Sequence, residues 1–303
     1  MKTIQNFNEL IAHLADLGQR KRVAVVCAAD ESTQGAVLKA LEAGIIKAVF
    51  VGCRHEVEAN ADIMRYQEHI SFIDADDPDD AAGKAVRLVR EGGADVLMKG
   101  LINTDNLLRA VLNKEWGILP KGRVLTHVTV AEVPNYPRLL FFTDPAVIPY
   151  PTQEQRVEQL KYTTHICRSF GIEEPKVALI NCSEKVSEKA FPFTVGYKDI
   201  IADAEKGVYG PCVVDGPLDL KTSLDRHALE KKGLHSPLNG EADVLIFPDI
   251  QAGNVFYKTI TLFAGASTAG MLQGAKAPVV LASRGDSIQS KFYSLAAAAI
   301  IGE

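Results

Sequence analysis

The stretch GAKAPVVLASRGDS, residues 274–287, decides how this chain reads. Gly274 and Pro278 bracket a turn, and Val279, Val280, Leu281 and Ala282 follow without a polar interruption. An apolar run bounded by Gly and Pro reads as a buried strand of a parallel sheet. The run breaks into Ser283, Arg284, Gly285, Asp286 and Ser287. That break falls where the carboxyl end of a strand meets the next helix, and open α/β sheets take their ligands there. Ser287 or Asp286 is placed to cap a helix over 288–301. Ser283 and Arg284 then stand at the mouth of the sheet, a neutral hydroxyl beside a permanent cation. The pair suits an anion such as phosphate. A capped strand–helix loop with a solvated arginine fits the same local pattern.

Working outward, the N-terminal half repeats this strand–helix alternation. An amphipathic helix carries Phe7, Leu10, Ile11 and Leu14 on one face. Buried strands are predicted over 22–29, 48–52, 70–73 and 95–98. Asp30 and Ser32 are cap candidates for a helix closed by Gly44. The acidic DADDPDD segment, residues 74–80, opens another helix, since the dipole favours carboxylates at that end. Strands alternating with helices imply parallel βαβ units with right-handed crossovers. The rhythm changes near Arg123. Strands over 124–133 and 139–143 are separated only by Pro134-Asn-Tyr-Pro137, a hairpin signal that marks entry into a second domain. Asp144 follows, then a rigid PAVIPYP loop and a helix over 152–170. Further strands are expected over 176–182, at Val213 and Val214 ending in Asp215-Gly-Pro217, and over 242–247. Gly265, Gly270 and Gly274 read as turn punctuation.

Two more stretches carry candidate chemistry. In LMKGLINTDNLLRAVL, from Leu97, Lys99 and Gly100 close a strand, Thr104 is placed to cap the next helix, and Arg109 lies on that helix. Lys99, Thr104 and the helix N-terminus together suit an anion. The alternative is a surface lysine and a solvated arginine. In the second, Pro248-Asp-Ile-Gln-Ala-Gly-Asn254, Gly253 relieves the backbone and Asn254 offers a donor and an acceptor. Lys258 is one turn further on the same face. An ordinary helix entry, with Asn capping and Lys solvated, fits equally.

Composition narrows the classes. The 303 residues favour two domains. A net charge of −5 argues against bulk nucleic-acid or anionic-membrane binding, which needs a broad basic face. The five cysteines are scattered, odd in number and form no CxxC pair, so they read as apolar fillers in a reducing cytoplasm. No signal peptide or run of transmembrane length is evident. The seven histidines show no metal-ligand spacing, and dinucleotide, Walker, HExxH and GxSxG fingerprints are missing.

Taken together, ADVLIFPDIQAGNVFYK (242–258), LQGAKAPVVLASRGDS (272–287) and MKGLINTDNLLRAVL (98–112) resemble the phosphate acetyltransferase/phosphate butyryltransferase family. The resemblance spans nearly the whole chain. The length, the MKG-x3-T motif and DGPLDL from Asp215 are nearer the butyryl branch. The resemblance implies two α/β/α domains with mostly parallel sheets and the active site in the cleft, similar to isocitrate and isopropylmalate dehydrogenases. Residues 1–127 and 268–303 would build the first domain, and 128–267 the inserted second. It implies reversible transfer of a short acyl group, butyryl favoured, between coenzyme A and inorganic phosphate, with no metal and no covalent cofactor. It places Ser283 and Arg284 at the reaction centre and Arg109 as a second cation on the phosphate. Lys99, Thr104, Asp144, Asn254 and Lys258 fall to substrate binding.

One departure stands out. The acetyltransferases are thought to use an aspartate on the helix after the Ser-Arg pair as thiol base, and that position here is Ser290. Asp286 is the first substitute and Asp144 the second; coenzyme A reacting as thiolate under the cations is the third option. The rival readings are an acetyl-specific enzyme, a metal- and nicotinamide-dependent decarboxylating dehydrogenase of similar fold, and a silent coenzyme A carrier. The dehydrogenase would need clustered aspartates, which the sequence lacks. The expected partners are small molecules, a second copy of the chain in a dimer or larger assembly, and an acyl (butyrate) kinase as metabolic neighbour. The Ala-rich final helix is expected to pack on the first domain or on another subunit.

Overall fold

The computed structural model describes residues 2–281 and 285–301. Contacts divide the chain into two compact units. A composite unit combines Asn6–Leu125 with Thr268–Glu303, and a central unit combines Thr126–Ser267 with Met1–Gln5. Ile4 donates its N–H to Phe170 O at 2.9 Å, so the first residues pack with the central unit rather than with the helix that follows them.

In chain order the elements are α1 (Phe7–Asp16), β1 (Lys21–Val26), α2 (Glu31–Glu42), β2 (Ile46–Val51), α3 (Arg54–Glu58), α4 (Ala61–Met64), β3 (Ile70–Ile73), α5 (Pro78–Arg90), β4 (Val96–Lys99) and α6 (Thr104–Val111). The central elements are β5 (Thr126–Glu132), β6 (Leu140–Thr143), α7 (Gln153–Ser169), β7 (Lys176–Ile180), α8 (Tyr197–Glu205), β8 (Val213–Leu218), α9 (Leu220–Leu224), α10 (Arg226–Lys231), β9 (Val244–Ile246) and α11 (Ile250–Phe263). The chain closes with β10 (Ser267–Gln273), β11 (Val279–Val280) and α12 (Ile288–Ile301).

In the composite unit the strands run β3-β2-β1-β4-β11-β10. β11 lies parallel to β4, with Val279 opposite Leu97 and Val280 opposite Met98, and β10 turns back antiparallel. Val23 to Val26 are fully buried, as a strand covered on both faces requires. Asp30 accepts the Thr33 N–H at 2.8 Å and caps α2, while Gly44, at φ 76°, takes the left-handed turn after it. Asp77 caps α5, with Pro78 at its first position. The alanine-rich α12 is almost wholly buried and packs within this unit on α1 and α2, with Tyr293 stacked 4.2 Å from Phe7. Of the two roles expected for this helix, the structure shows packing on its own unit.

In the central unit the order is β5-β6-β9-β7-β8. β5 and β6 form the expected antiparallel hairpin, and the remaining pairs are parallel. Leu140, Phe142, Ala178, Leu245 and Ile260 share one core, with Phe142 edge-on to Phe256 at 5.1 Å. The fold class is the mixed α/β class with mostly parallel strands that the sequence implies.

Several elements differ from expectation. β8 runs on through Asp215-Gly216-Pro217 to Leu218 instead of ending at Val214. The pairing with β7 shifts register after Ala178, and Gly216 lies so close to Leu179 that a Cβ would come 2.6 Å from its carbonyl oxygen. β8 ends the strand order of this unit, and a position with no neighbour on one side tolerates the proline. β10 was hidden by its glycine, because Gly270 reads as a turn; its N–H instead donates to Ser294 Oγ at 2.9 Å. Helices α8, α9 and α10 were also missed. All five cysteines are unbridged; Cys27 and Cys167 are buried as expected, but Cys182 is exposed. Burial pushes the Cys27 thiol up to about 12. Among the described residues no helix is long and apolar enough to cross a membrane.

Candidate active site

In the composite unit the neighbouring strands β1, β4 and β11 present their carboxyl ends side by side. β4 ends in Lys99, which is 4% exposed, with Nζ 3.3 Å from Gly100 O. The next two residues are laid across the end of β1. Gly100 donates to Val26 O at 2.9 Å and Leu101 to Cys27 O at 2.7 Å. A Cβ on Gly100 would come 2.4 Å from Cys27 O, so only glycine allows this approach. The cap of α6 is Asn103, whose side chain accepts from Asp105 N at 3.4 Å. Thr104, expected to be that cap, is instead the first helical residue, because Asn103 takes the extended backbone that a cap requires. Arg109 lies in the last turn of α6, 71% exposed, and faces Asp79 of α5 across 3.9 Å. A pair so exposed and so long holds the guanidinium weakly.

Ser283 and Arg284 lie outside the described residues. Asp286 is half-buried just before α12. The cap is Ser287, whose Oγ accepts the Ser290 N–H at 3.1 Å. Ser290 turns its hydroxyl to Thr268 O at 2.9 Å, tying α12 to β10. One residue later stands a group the sequence reading missed. Lys291 is 4% exposed, with Nζ 2.7 Å from Ser32 Oγ, 3.2 Å from Thr33 Oγ1 and 3.3 Å from Asp30 Oδ1. Burial pushes the Asp30 carboxyl up, but hydrogen bonds from Ser32 and Thr33, with the Lys291 charge, outweigh it and hold the group down at about 2. The one signal in the sequence was a lone lysine inside a largely apolar helix, with FYSLAAAAII following it.

In the central unit Asp144 follows β6 and is 3% exposed. Its carboxylate accepts from Thr126 Oγ1 at 2.7 Å, His127 N at 3.2 Å, Ala146 N at 2.8 Å, Val147 N at 2.9 Å and Ile148 N at 3.1 Å. A carboxylate offers about four lone-pair sites, so five donors saturate it. Asp144 is therefore committed to holding the 144–148 loop, which corrects its reading as a reserve thiol base. α11 is capped by Asp249, which accepts from Ala252 N at 2.8 Å, and not by Asn254. Asn254 donates Nδ2 to Pro145 O at 3.0 Å, and a Cβ on Gly253 would come 2.5 Å from Asp144 O. The helix start is thus pressed on the Asp144 loop. Lys258 is exposed one turn on, with Nζ 4.9 Å from the Tyr257 ring centroid. The structure brings Asp144 and Asn254 together, joins Lys99 to the end of β1, and turns Arg109 toward Asp79. Among the described residues no group of three or more His, Cys, Asp or Glu is placed to hold a metal.

Residues 75–299 match the family described as phosphate acetyl/butaryl transferase. The chain belongs to this family. It is similar to the phosphate butyryltransferase of Clostridium beijerinckii, 38% identical over 302 residues that cover 98% of each chain. It is also similar to the phosphate acetyltransferase of Thermotoga maritima, 36% identical over 284 residues, 93% of this chain and 96% of that one. Among solved structures, a branched-chain phosphotransacylase from Enterococcus faecalis V583 superposes with a TM-score of 0.82 at 30% identity, covering 93% of this chain and 99% of the other.

The span of the phosphate acetyl/butyryl transferase match takes in Lys99, Thr104, Arg109, Asp144, Asn254, Lys258, Ser283, Arg284, Asp286 and Lys291. The acceptors of Lys291 on the first turn of α2 lie before it. The family match therefore takes in the carboxyl ends of β4 and β11, while β1 lies before it.

Proposed function

We propose that this chain reversibly transfers a short-chain acyl group, butyryl favoured, between coenzyme A and inorganic phosphate. The observation that carries the reading is its 38% identity, over 98% of both chains, to a phosphate butyryltransferase. The described geometry is consistent with it: a lysine, 4% exposed, stands at the carboxyl end of β4. In the forward direction a phosphate oxygen attacks the thioester carbon. The C–O bond forms, the carbonyl oxygen carries negative charge, and the C–S bond then breaks to release the coenzyme A thiolate, which takes up a proton. Phosphate is a dianion that must be held, and the developing oxyanion needs aimed donors.

In this reading Arg284 and Ser283 stabilise the reacting centre. Arg109 and Lys99 hold phosphate, with Thr104 at the start of α6. Asn254 and Lys258 serve coenzyme A or the acyl carbonyl. Asp286 takes the thiol proton in the reverse direction. Asp144 is saturated and Ser290 is spent on Thr268 O, which leaves Asp286 as the carboxylate nearest the Ser-Arg pair in sequence. The reaction uses no metal and no covalent cofactor. The enzyme works in the cytoplasm as a homodimer or larger assembly, and a butyrate kinase is the fitting consumer of the acyl phosphate.

A second reading, acetyl-CoA as main substrate, is favoured by the likeness to the Thermotoga maritima acetyltransferase. Thiol release from C2 to C5 acyl-CoAs, straight and branched, with and without phosphate and with a chelator, separates the readings. We expect phosphate-dependent release that is fastest with butyryl-CoA and indifferent to chelator. Best turnover of acetyl-CoA transfers the conclusion to the second reading. Absence of phosphate-dependent release from every acyl-CoA overturns both.

A further inference from the structure

Lys291 is costly where it stands. Taking an ammonium out of water is penalised by several kcal/mol unless it is paired and its hydrogens are used. Its three N–H donors find three acceptors, on Ser32, Thr33 and Asp30. All three sit on the cap or first turn of α2. Asp30 meanwhile accepts from Ser32 Oγ at 2.6 Å and Thr33 N at 2.8 Å, so the same carboxylate caps α2 and grips α12.

Holding two helices together does not require this charge. α2 and α12 are already in close contact, for a Cβ on Gly35 would come 2.9 Å from Ile288 Cδ1. Apolar contact is non-directional and lets a helix rotate or slide. The ammonium and its three acceptors add direction, and they fix one rotation and one register. On the other side Ser290 donates to Thr268 O, and Gly270 donates to Ser294 Oγ at 2.9 Å. The first turns of α12 are thereby bolted to α2 on one side and to β10 on the other.

Only residues 285–287 separate Arg284 from that turn. At the other end of the segment, β11 is fixed by its pairing with β4. We propose that Lys291 is a positioning residue for the acyl transfer: it fixes the rotation and register of the first turn of α12, the helix that follows the Ser-Arg motif in sequence. The inference rests on the proposed function and adds a residue that acts through others.

Lys291→Met, Lys291→Arg and the neutral pair Asp30→Asn/Lys291→Met test it, assayed well below their unfolding temperatures. Asparagine keeps the cap of α2. Misplacing reacting groups by about an ångström costs on the order of 100-fold, so Lys291→Met should lower kcat about 10- to 100-fold, with KM for acyl-CoA within about threefold. Arginine should restore part of the loss, and the neutral pair should not recover kcat. Amide hydrogen exchange over 285–290 should quicken in Lys291→Met and stay unchanged over β1 and β2. A kcat within about twofold of the parent, with only a lowered Tm, would leave Lys291 a purely structural residue and overturn the proposal. Full recovery in the neutral pair would reduce it to charge balance and overturn it too. If the parent shows no phosphate-dependent release, the proposed function fails by itself. The exchange experiment still decides the anchor, and unchanged exchange over 285–290 rejects it.

Discussion

Two aspartates, Asp144 and Asp286, both lie in the segment after a strand and before a helix. The five donors on Asp144 come from Thr126, His127 and the backbone of 146–148, residues brought together only by the hairpin and the loop it supports. No sequence spacing announces such a saturated carboxylate. Arg284 is the opposite case: it lies outside the described residues, and its reading rests on the Ser-Arg motif after an apolar run, which a solvated arginine also fits. If Arg284 stabilises charge in the transition state, Arg284→Ala should lose roughly 10²- to 10³-fold in kcat, about 3–4 kcal/mol, by analogy with removal of an oxyanion donor. Lysine should rescue only part of this, since it lacks the planar fork. Steady-state kinetics with circular dichroism to check folding decide it; a kcat within a few-fold of the parent would make Arg284 a solvated surface residue.

At the scale of the element, helix starts were the most readable and least exact features. Asp30 and Ser287 cap where the sequence puts a cap, and Asp77 and Thr152 cap helices whose starts were placed without a named cap, but Asn103 displaced Thr104 by one position and Asp249 took the place left open for Asn254. Neighbouring Asn, Asp and Thr residues are interchangeable as caps, and the backbone conformation chooses among them. The Asp30 cap makes a pH prediction. Its folded pKa is about 2 against an ordinary 3.8, held down by its hydrogen bonds and by Lys291 against the opposing pull of burial. A depressed carboxyl contributes stability that is present above its unfolded pKa and lost as pH falls through the folded one. Stability should therefore fall between about pH 4 and pH 2 more steeply in the parent than in Asp30→Asn. Urea midpoints measured across that range are the check, and parallel curves for the two proteins would contradict the assignment. β10 illustrates what local reading misses. A glycine inside a strand reads as a turn until the serine that meets its N–H, twenty-four residues later, is in place.

At the scale of the whole molecule, the hairpin of β5 and β6 was the decisive clue, because it interrupts the crossover pattern where the chain changes units. The return of the chain was legible only through the apolar run at Val279. α12, read as a possible subunit surface, is covered inside its own unit, whereas α11 exposes Val255, Leu262 and Phe263 at 64%, 74% and 81%. If the chain assembles as proposed, this exposed apolar face of α11 is the surface to test. Light scattering should give a mass at least twice that of one chain, and Phe263→Glu should lower it; a concentration-independent monomer in the parent would refute the assembly. The position of β11 has one further consequence. It sits between β4 and β10, yet among the described strands it is the last to leave the ribosome. Until it emerges, the nascent chain shows the bare edge of β4, an invitation to pair with other chains. Premature termination anywhere before residue 279 should therefore yield aggregates and substrates for chaperones, and not a smaller folded protein.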